Sequence, residues 1–369
     1  MKDSSKQTDP SLFQSTVKTR YGLLVYFAVL FSSVISFTDV KASGHEPIDQ
    51  LLRNEWWPKA LKLNEVWGQA TGKGVTIAAC DTGIHKNAKD LEQNLLIKYA
   101  RDFANPRDKF NIFDGNYVSQ GTASAGIMVG IKNFQGINGI AYNARLVPLQ
   151  NYHYNDQLDS VPLSTSTERC IKYALTISDV AIIAVQALSS EGSIESNPKV
   201  RQAIELAIKS GVIVVSPAGD STKELYQERI YDSGSIIVGA LAQNGRTAIF
   251  SNYGSRVTIS SFGEKIKALW GKYGETKYFA GTLAASAQIA AFVALAKEIN
   301  PQLLPADMKW LLKTTRSKQT FNYNVGGIID PVRFIKSVKN YKSDAANWRK
   351  ASDFRKEATR KIKGESWMK

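Results

Sequence analysis

The run Thr71-Gly72-Lys73-Gly74-Val75-Thr76-Ile77-Ala78-Ala79-Cys80-Asp81-Thr82-Gly83-Ile84 opens on a glycine turn and continues through uncharged, partly β-branched residues. It leaves on an aspartate into a second glycine turn. A short apolar run bounded by turn residues reads as a fully buried strand. Outward from it, strands are expected over 145–150, 180–187, 212–216 and 235–240, and helices over 122–131, 165–176, 197–209, 283–299 and 305–314. Gly211 stands as a helix stop directly before the run Val212-Ile213-Val214-Val215. Fully apolar strands alternating with helices predict a mostly parallel sheet covered on both faces, a doubly wound α/β fold. Ligands in such folds bind beyond the carboxyl ends of the strands, so the residues just after each strand carry the chemistry.

An aspartate leaving a buried strand is placed to orient a histidine in a catalytic triad. The residues around Asp81 decide whether it does. Residues 71–84 resemble the aspartate motif of the subtilisin-like serine proteases, and Asp90-Leu91 stands where that family has Pro-Asp-Leu. Further blocks follow in the family's order. Gln120-Gly121-Thr122-Ala123-Ser124-Ala125-Gly126-Ile127 resembles the histidine helix, and Gly139-Ile140-Ala141-Tyr142-Asn143-Ala144 a following turn. The strand ending in Ala218-Gly219-Asp220 and the loop Phe250-Ser251-Asn252-Tyr253-Gly254 have counterparts too, as does Gly281-Thr282-Leu283-Ala284-Ala285-Ser286 at the nucleophile. The resemblance covers about residues 56–320. It implies a single three-layer, doubly wound, mostly parallel domain.

The same resemblance exposes departures at the chemical positions. Gln120 stands where the family has its base, and an amide takes up no proton at neutral pH. Leu283 stands at the nucleophile and has nothing to attack with. Asp220 stands at the oxyanion-stabilising asparagine, where an ionised carboxylate repels developing negative charge. Asp81 alone keeps the family residue. The histidines His45, His85 and His153 read as surface loop residues, and Ser286 points one helical turn deeper than the mouth of the site. The resemblance also implies a specificity-pocket wall at 186–190. Gln186 lies there, and Leu188 falls near a family glycine, where a side chain narrows the pocket. It further implies a structural calcium ion at Asp90 and Asn133, with Lys132 beside them arguing against tight binding. The stretch 43–55 leaves no room for the family's inhibitory propeptide, which active relatives remove by self-cleavage.

The expectation is therefore an exported pseudoprotease that is not an enzyme and acts by binding a protein or peptide partner. Two rivals stand beside it. One is an active subtilase endopeptidase with relocated catalytic groups. The other is a toxin or effector subunit that uses the fold for recognition.

The flanks carry the remaining expectations. Lys18 and Arg20 precede an uncharged stretch over 21–37, followed by Val40-Lys41-Ala42. Two readings stand: a signal peptide over 1–42, or a membrane anchor over 21–37. Either exports the main domain to a secreted or periplasmic location. A linker is expected over 43–55 and the domain over 56–341. In the tail 342–369, Trp348, Ala351, Phe354, Ala358 and Ile362 recur at helical spacing among lysines and arginines. That pattern fits a basic helix lying on an anionic membrane surface or a partner, or one packed on its own domain. The net charge of +14 is spread along the chain apart from this tail, and no Walker A loop, zinc spacing or RNA-binding signature is present, so no nucleic-acid partner is expected. Cys80 and Cys170 read as small buried core residues rather than as a disulfide.

Overall fold

A computed structural model describes residues 55–85, 88–105, 112, 119–133, 137–152, 161–189, 192–225, 232–271, 275–317 and 323–368, and every structural statement below concerns these. The expectations for residues 1–54, for His45 and for His153 lie outside them.

The sheet forms around β1 (Thr76–Asp81), whose six residues are all buried. On one side it pairs with β3 (Arg145–Gln150), which continues to the short edge strand β2 (Arg101–Asp102). On the other side it pairs with β4 (Val180–Val185), followed by β5 (Ile213–Pro217), β6 (Ile236–Leu241) and β7 (Ile259–Phe262). The order is β2-β3-β1-β4-β5-β6-β7, and each of these pairings is parallel. Strand order therefore reverses at β1. An antiparallel hairpin of β8 (Ile266–Trp270) and β9 (Glu275–Phe279) follows.

Helices cover both faces, as the alternation predicts. One apolar layer is built around α1 (Gln120–Val129) and α4 (Thr282–Ile299), with α5 (Pro305–Thr315) and α6 (Pro331–Asn340) outside them. The other is built around α2 (Leu163–Leu175) and α3 (Pro198–Lys209). The C-terminal helix α7 (Ala345–Lys363) packs on α2 and α3. The fold is the three-layer α/β architecture expected.

Element ends differ from expectation where a cap or turn decides them. The helix expected over 122–131 begins at Gln120, and Asn197 is the cap of α3 rather than part of it, accepting from the Lys199 backbone N–H at 3.0 Å. Helix α6 has no counterpart among the expected elements. Its signal is Asp330-Pro331, with the Asp330 side chain accepting from Arg333 N at 3.0 Å and proline in the first turn.

Two expectations are corrected. Cys80 and Cys170 are buried, but they form a disulfide that joins the end of β1 to α2 with Cα atoms 6.1 Å apart. The partners are 90 residues apart in sequence, so no local pattern announces them. His85 is no surface residue either. It is 5% exposed, and its backbone N–H donates to Thr122 Oγ1 at 3.0 Å, because the turn after β1 is pressed against α1.

The tail is helical as expected, and its faces are sorted by its own domain. Ala358 and Ile362 are buried, whereas Trp348 and Phe354 are each 38% exposed. Arg355 turns inward and donates to the carbonyls of Leu175, Ile177 and Val180.

Replacing both Cys80 and Cys170 with alanine should lower unfolding stability by about 3–4 kcal/mol, since the bond closes a long loop in the unfolded chain. Denaturant unfolding of the variant against the oxidised protein checks this.

Candidate active site

Asp81 is the last residue of β1, at the point where strand order reverses, so its side chain emerges in the crevice where α/β folds place ligands. Helix α1 meets it there. Gly121 packs so tightly on the turn that an added Cβ would stand 1.8 Å from the Gly83 carbonyl oxygen. Gly83 itself has a φ of +94°, a conformation glycine tolerates and L residues resist. This close approach sets Gln120 beside Asp81. Gln120 Nε2 donates to Asp81 Oδ1 at 2.8 Å, and the Thr82 backbone N–H donates to the same oxygen at 2.8 Å.

Burial pushes the Asp81 carboxyl up from 3.8 to about 6, while the hydrogen bonds from the Thr82 backbone and Gln120 pull it back. Among the described residues no histidine shares this oxygen. The amide beside it can donate, but it has no lone-pair nitrogen with which to accept a proton.

Leu283 stands in the first turn of α4 and is 3% exposed. Ser286, one turn further on, is buried. Its Oγ donates to Gln186 Oε1 at 2.6 Å and lies 3.0 Å from the Leu283 carbonyl oxygen. Its hydroxyl is thus held inside the layer, as the helical spacing predicts. Gln186 follows β4 and is itself buried.

Asp220 follows β5 and reaches the start of α4, where its Oδ1 accepts from the Thr282 backbone N–H at 2.8 Å. Gly281, with a φ of +124°, makes room for it, since a Cβ there would stand 2.7 Å from Asp220 Oδ2. The carboxylate thereby satisfies an otherwise orphaned N–H of the first turn and faces the positive end of the helix. Burial raises its pKa, against the opposing hydrogen bonds from the Thr282 backbone and hydroxyl. Sequence reasoning places a charge at this position and misses its capping role. The signal was available: an acidic side chain opposite a helix start that lacks its own side-chain cap.

The segments after β4 and β5 meet. A Cβ on Gly219 would stand 2.8 Å from the Gly192 carbonyl oxygen, and Leu188 is half-buried against the core. Behind β5, the fully buried Glu195 pairs with Arg256 at 3.1 Å and accepts from Ser216, Ser233 and Ser235. Nothing in the local sequence pointed to that network, because its members come from four separate segments. Beside Gln120 and Gln186 an open cleft of about 540 Å³ remains, lined also by Tyr152, Leu163, Ser164, Leu188 and Asn197. Its described lining carries no charged side chain.

Asp90 and Asn133 are brought together, but Asn133 Nδ2 donates directly to Asp90 Oδ1 at 2.7 Å. Calcium needs several oxygens facing one point. Among the described residues, Asp90 is the one carboxylate beside Asn133, and the Asn133 amide nitrogen faces it.

The subtilase family model matches residues 72–329, which include Asp81, Gln120, Asp220 and Leu283. The chain belongs to the subtilase family. Among curated relatives it is 27% identical over 314 residues to an extracellular protease of Xanthomonas campestris pv. campestris, covering 73% of this chain. It spans only 52% of that protein's length. It is 29% identical over 249 residues to an intracellular serine protease of Paenibacillus polymyxa, covering 65% of this chain and 71% of that protein. Among solved structures, a protease of Pseudoalteromonas arctica superposes with a TM-score of 0.62 at 23% identity, over 75% of this chain and 94% of that one. MycP1 from Mycobacterium smegmatis superposes with a TM-score of 0.60 at 23% identity, over 76% of this chain and 84% of that one. These structures share the fold of this subtilase.

The raised Asp81 carboxyl has a definite sign in stability. Between about pH 4 and 6 the folded chain holds a proton that the unfolded chain releases, so stability falls as pH rises through that window and stays lower above it. Asp81→Asn should flatten this dependence and raise stability at pH 8, by at most about 3 kcal/mol. Urea unfolding at pH 4.5 and pH 8, each buffered to about half a unit, checks both. A variant less stable than the parent at pH 8 would show that the charged carboxylate itself supports the fold.

Proposed function

We propose that this subtilase is an exported, non-catalytic member of its family that binds peptide segments without cutting them. One observation carries the reading: among the described residues, the groups at the family's base, nucleophile and oxyanion positions offer no nucleophile–base pair, and their neighbours bond to one another. Gln120 donates to Asp81, Ser286 to Gln186, and the Thr282 N–H to Asp220. Acyl transfer needs a nucleophile beside a proton acceptor, and donors aimed at the oxyanion. Leucine, an amide and a carboxylate supply none of these at Leu283, Gln120 and Asp220.

The cleft beside Gln120, whose described lining is uncharged, is the peptide site in this proposal. Its mixture of apolar and amide side chains suits an extended, uncharged segment of chain. Export is supported by the Cys80–Cys170 disulfide, since such bonds persist in oxidising compartments, and by relatives named as extracellular proteases. The proteases among those relatives favour a second reading, an active endopeptidase using groups elsewhere in the cleft.

The purified chain should neither take up a fluorophosphonate probe nor cleave unfolded casein. It should capture casein fragments, and Ser164→Arg, which places a long charged side chain in the cleft, should weaken capture at least about tenfold. Covalent labelling together with cleavage that disappears in Asp81→Ala would establish the active enzyme instead.

A further inference from the structure

A cavity of about 800 Å³ among the described residues lies away from the active-site end of the sheet. It lies at the opposite, amino ends of β1, β4 and β5, roofed by α7. Lys73 and Val75 precede β1, Val180 opens β4, Ser210 and Gly211 precede β5, and Lys297 belongs to the last turn of α4.

Its walls carry five cationic side chains, Lys73, Lys297, Arg355, Lys356 and Lys363, against two carboxylates, Asp179 and Glu298. The Glu298 carboxylate is already committed, since one of its oxygens accepts from the backbone N–H groups of Thr71, Gly72 and Lys73. Lys356 is held by Asp353 at 2.8 Å. The two inner cations donate hydrogen bonds only to neutral oxygens, while the Asp179 carboxylate favours the charge of Arg355 and Asp307 that of Lys297 without a hydrogen bond to either. Lys297 Nζ donates to the carbonyls of Pro301 and Leu303, and the Arg355 guanidinium to those of Leu175, Ile177 and Val180.

Neutral carbonyls satisfy the hydrogen-bond geometry of a buried cation without neutralising its charge. Donors also remain. An ammonium has three N–H bonds and a guanidinium five, so Lys297 keeps one and Arg355 two after these contacts. Burial lowers the Lys297 pKa to about 8, and the charge of Arg355 acts in the same direction. An anion between them would take up the remaining donors and screen one charge from the other.

We propose that this cavity is a binding site for a phosphate-type anion, gripped by Lys297 and Arg355 with the exposed Lys73 and Lys363 at its rim. The planar guanidinium and the compact ammonium are the two side chains best suited to phosphate oxygens. The group comes either from a free polyphosphate or from a phospholipid headgroup, and the experiment separates the two. The inference is independent of whether the subtilase cleaves peptides, because the cavity and Asp81 lie at opposite ends of the sheet.

Pyrophosphate is titrated into the full chain by calorimetry at low salt, and its effect on the melting temperature is measured in parallel. Sedimentation with phosphatidylglycerol and with phosphatidylcholine vesicles forms the second arm. The probes are compared across the parent, the double variant Lys73→Glu/Lys363→Glu, and Lys336→Glu on the exposed face of α6 as a charge control. Both rim lysines are exposed, so the double variant should fold. A soluble ligand is supported if pyrophosphate binds the parent and the control alike and the double variant binds at least about tenfold more weakly. A headgroup is supported if the parent sediments only with anionic vesicles, pyrophosphate competes, and the double variant loses the effect. The proposal is overturned if neither probe binds, or if the double variant binds as the parent does.

Discussion

The Gly121–Gly83 contact is the constraint on which the rest of the site depends. No side chain larger than hydrogen fits between the start of α1 and the turn after β1. Because the backbones touch there, Gln120 reaches Asp81, the His85 backbone reaches Thr122, and α1 lies close enough to pack along α4. Helix α4 in turn runs beneath five strands of the sheet, β1 and β4 to β7, and carries Leu283 at its first turn. A single close approach thus couples the end of the central strand to both helices that border the crevice.

Around that contact the polar groups close on themselves. Asp81 and Asp220 are partly or wholly withdrawn from water, which is costly for a carboxylate unless donors face it. Each finds them within the chain: Gln120 and the Thr82 N–H for Asp81, and the Thr282 N–H for Asp220. Ser286 and Gln186 satisfy each other in the same manner. One acceptor is left over: the second Asp81 oxygen, Oδ2, is buried and has no hydrogen-bond partner among the described residues. The cleft alongside it, uncharged in its described lining, stays open.

The second layer is tied down by different means. The Cys80–Cys170 bond fastens α2 to the end of β1, only one residue before Asp81. Where α2 ends and the chain turns into β4, Arg355 of α7 donates to the carbonyls of Leu175, Ile177 and Val180, aided by Thr359 on the Leu175 oxygen. Lys172 and Glu365 pair across the same interface at 3.1 Å. The C-terminal helix is therefore part of the domain's second layer. Its buried side is set by Arg355, Ala358 and Ile362, and the basic residues that remain face outward or into the cavity beneath it.

Much of this was legible in the chain itself. The apolar runs and their glycine boundaries set out the main strands and helices, because burial in a parallel sheet demands an uninterrupted apolar run. The rule that ligands gather at carboxyl strand ends singles out Asp81, the resemblance to the subtilases adds Gln186 and Asp220, and the residue types at 120 and 283 limit the chemistry those positions can perform. Tertiary structure alone decided the pairings. Asp81 and Gln120 are 39 residues apart, Asp220 and Thr282 are 62 apart, the cysteines 90, and Arg355 and Leu175 180. Hydrophobic periodicity is a local property of a few turns or a single strand, whereas a hydrogen bond, a helix cap or a disulfide between distant segments exists only once the layers have packed. The sequence therefore supplied the groups and their approximate places. The packed layers determined that Gln120 donates to Asp81, that Asp220 caps a helix, and that the basic tail turns Arg355 inward.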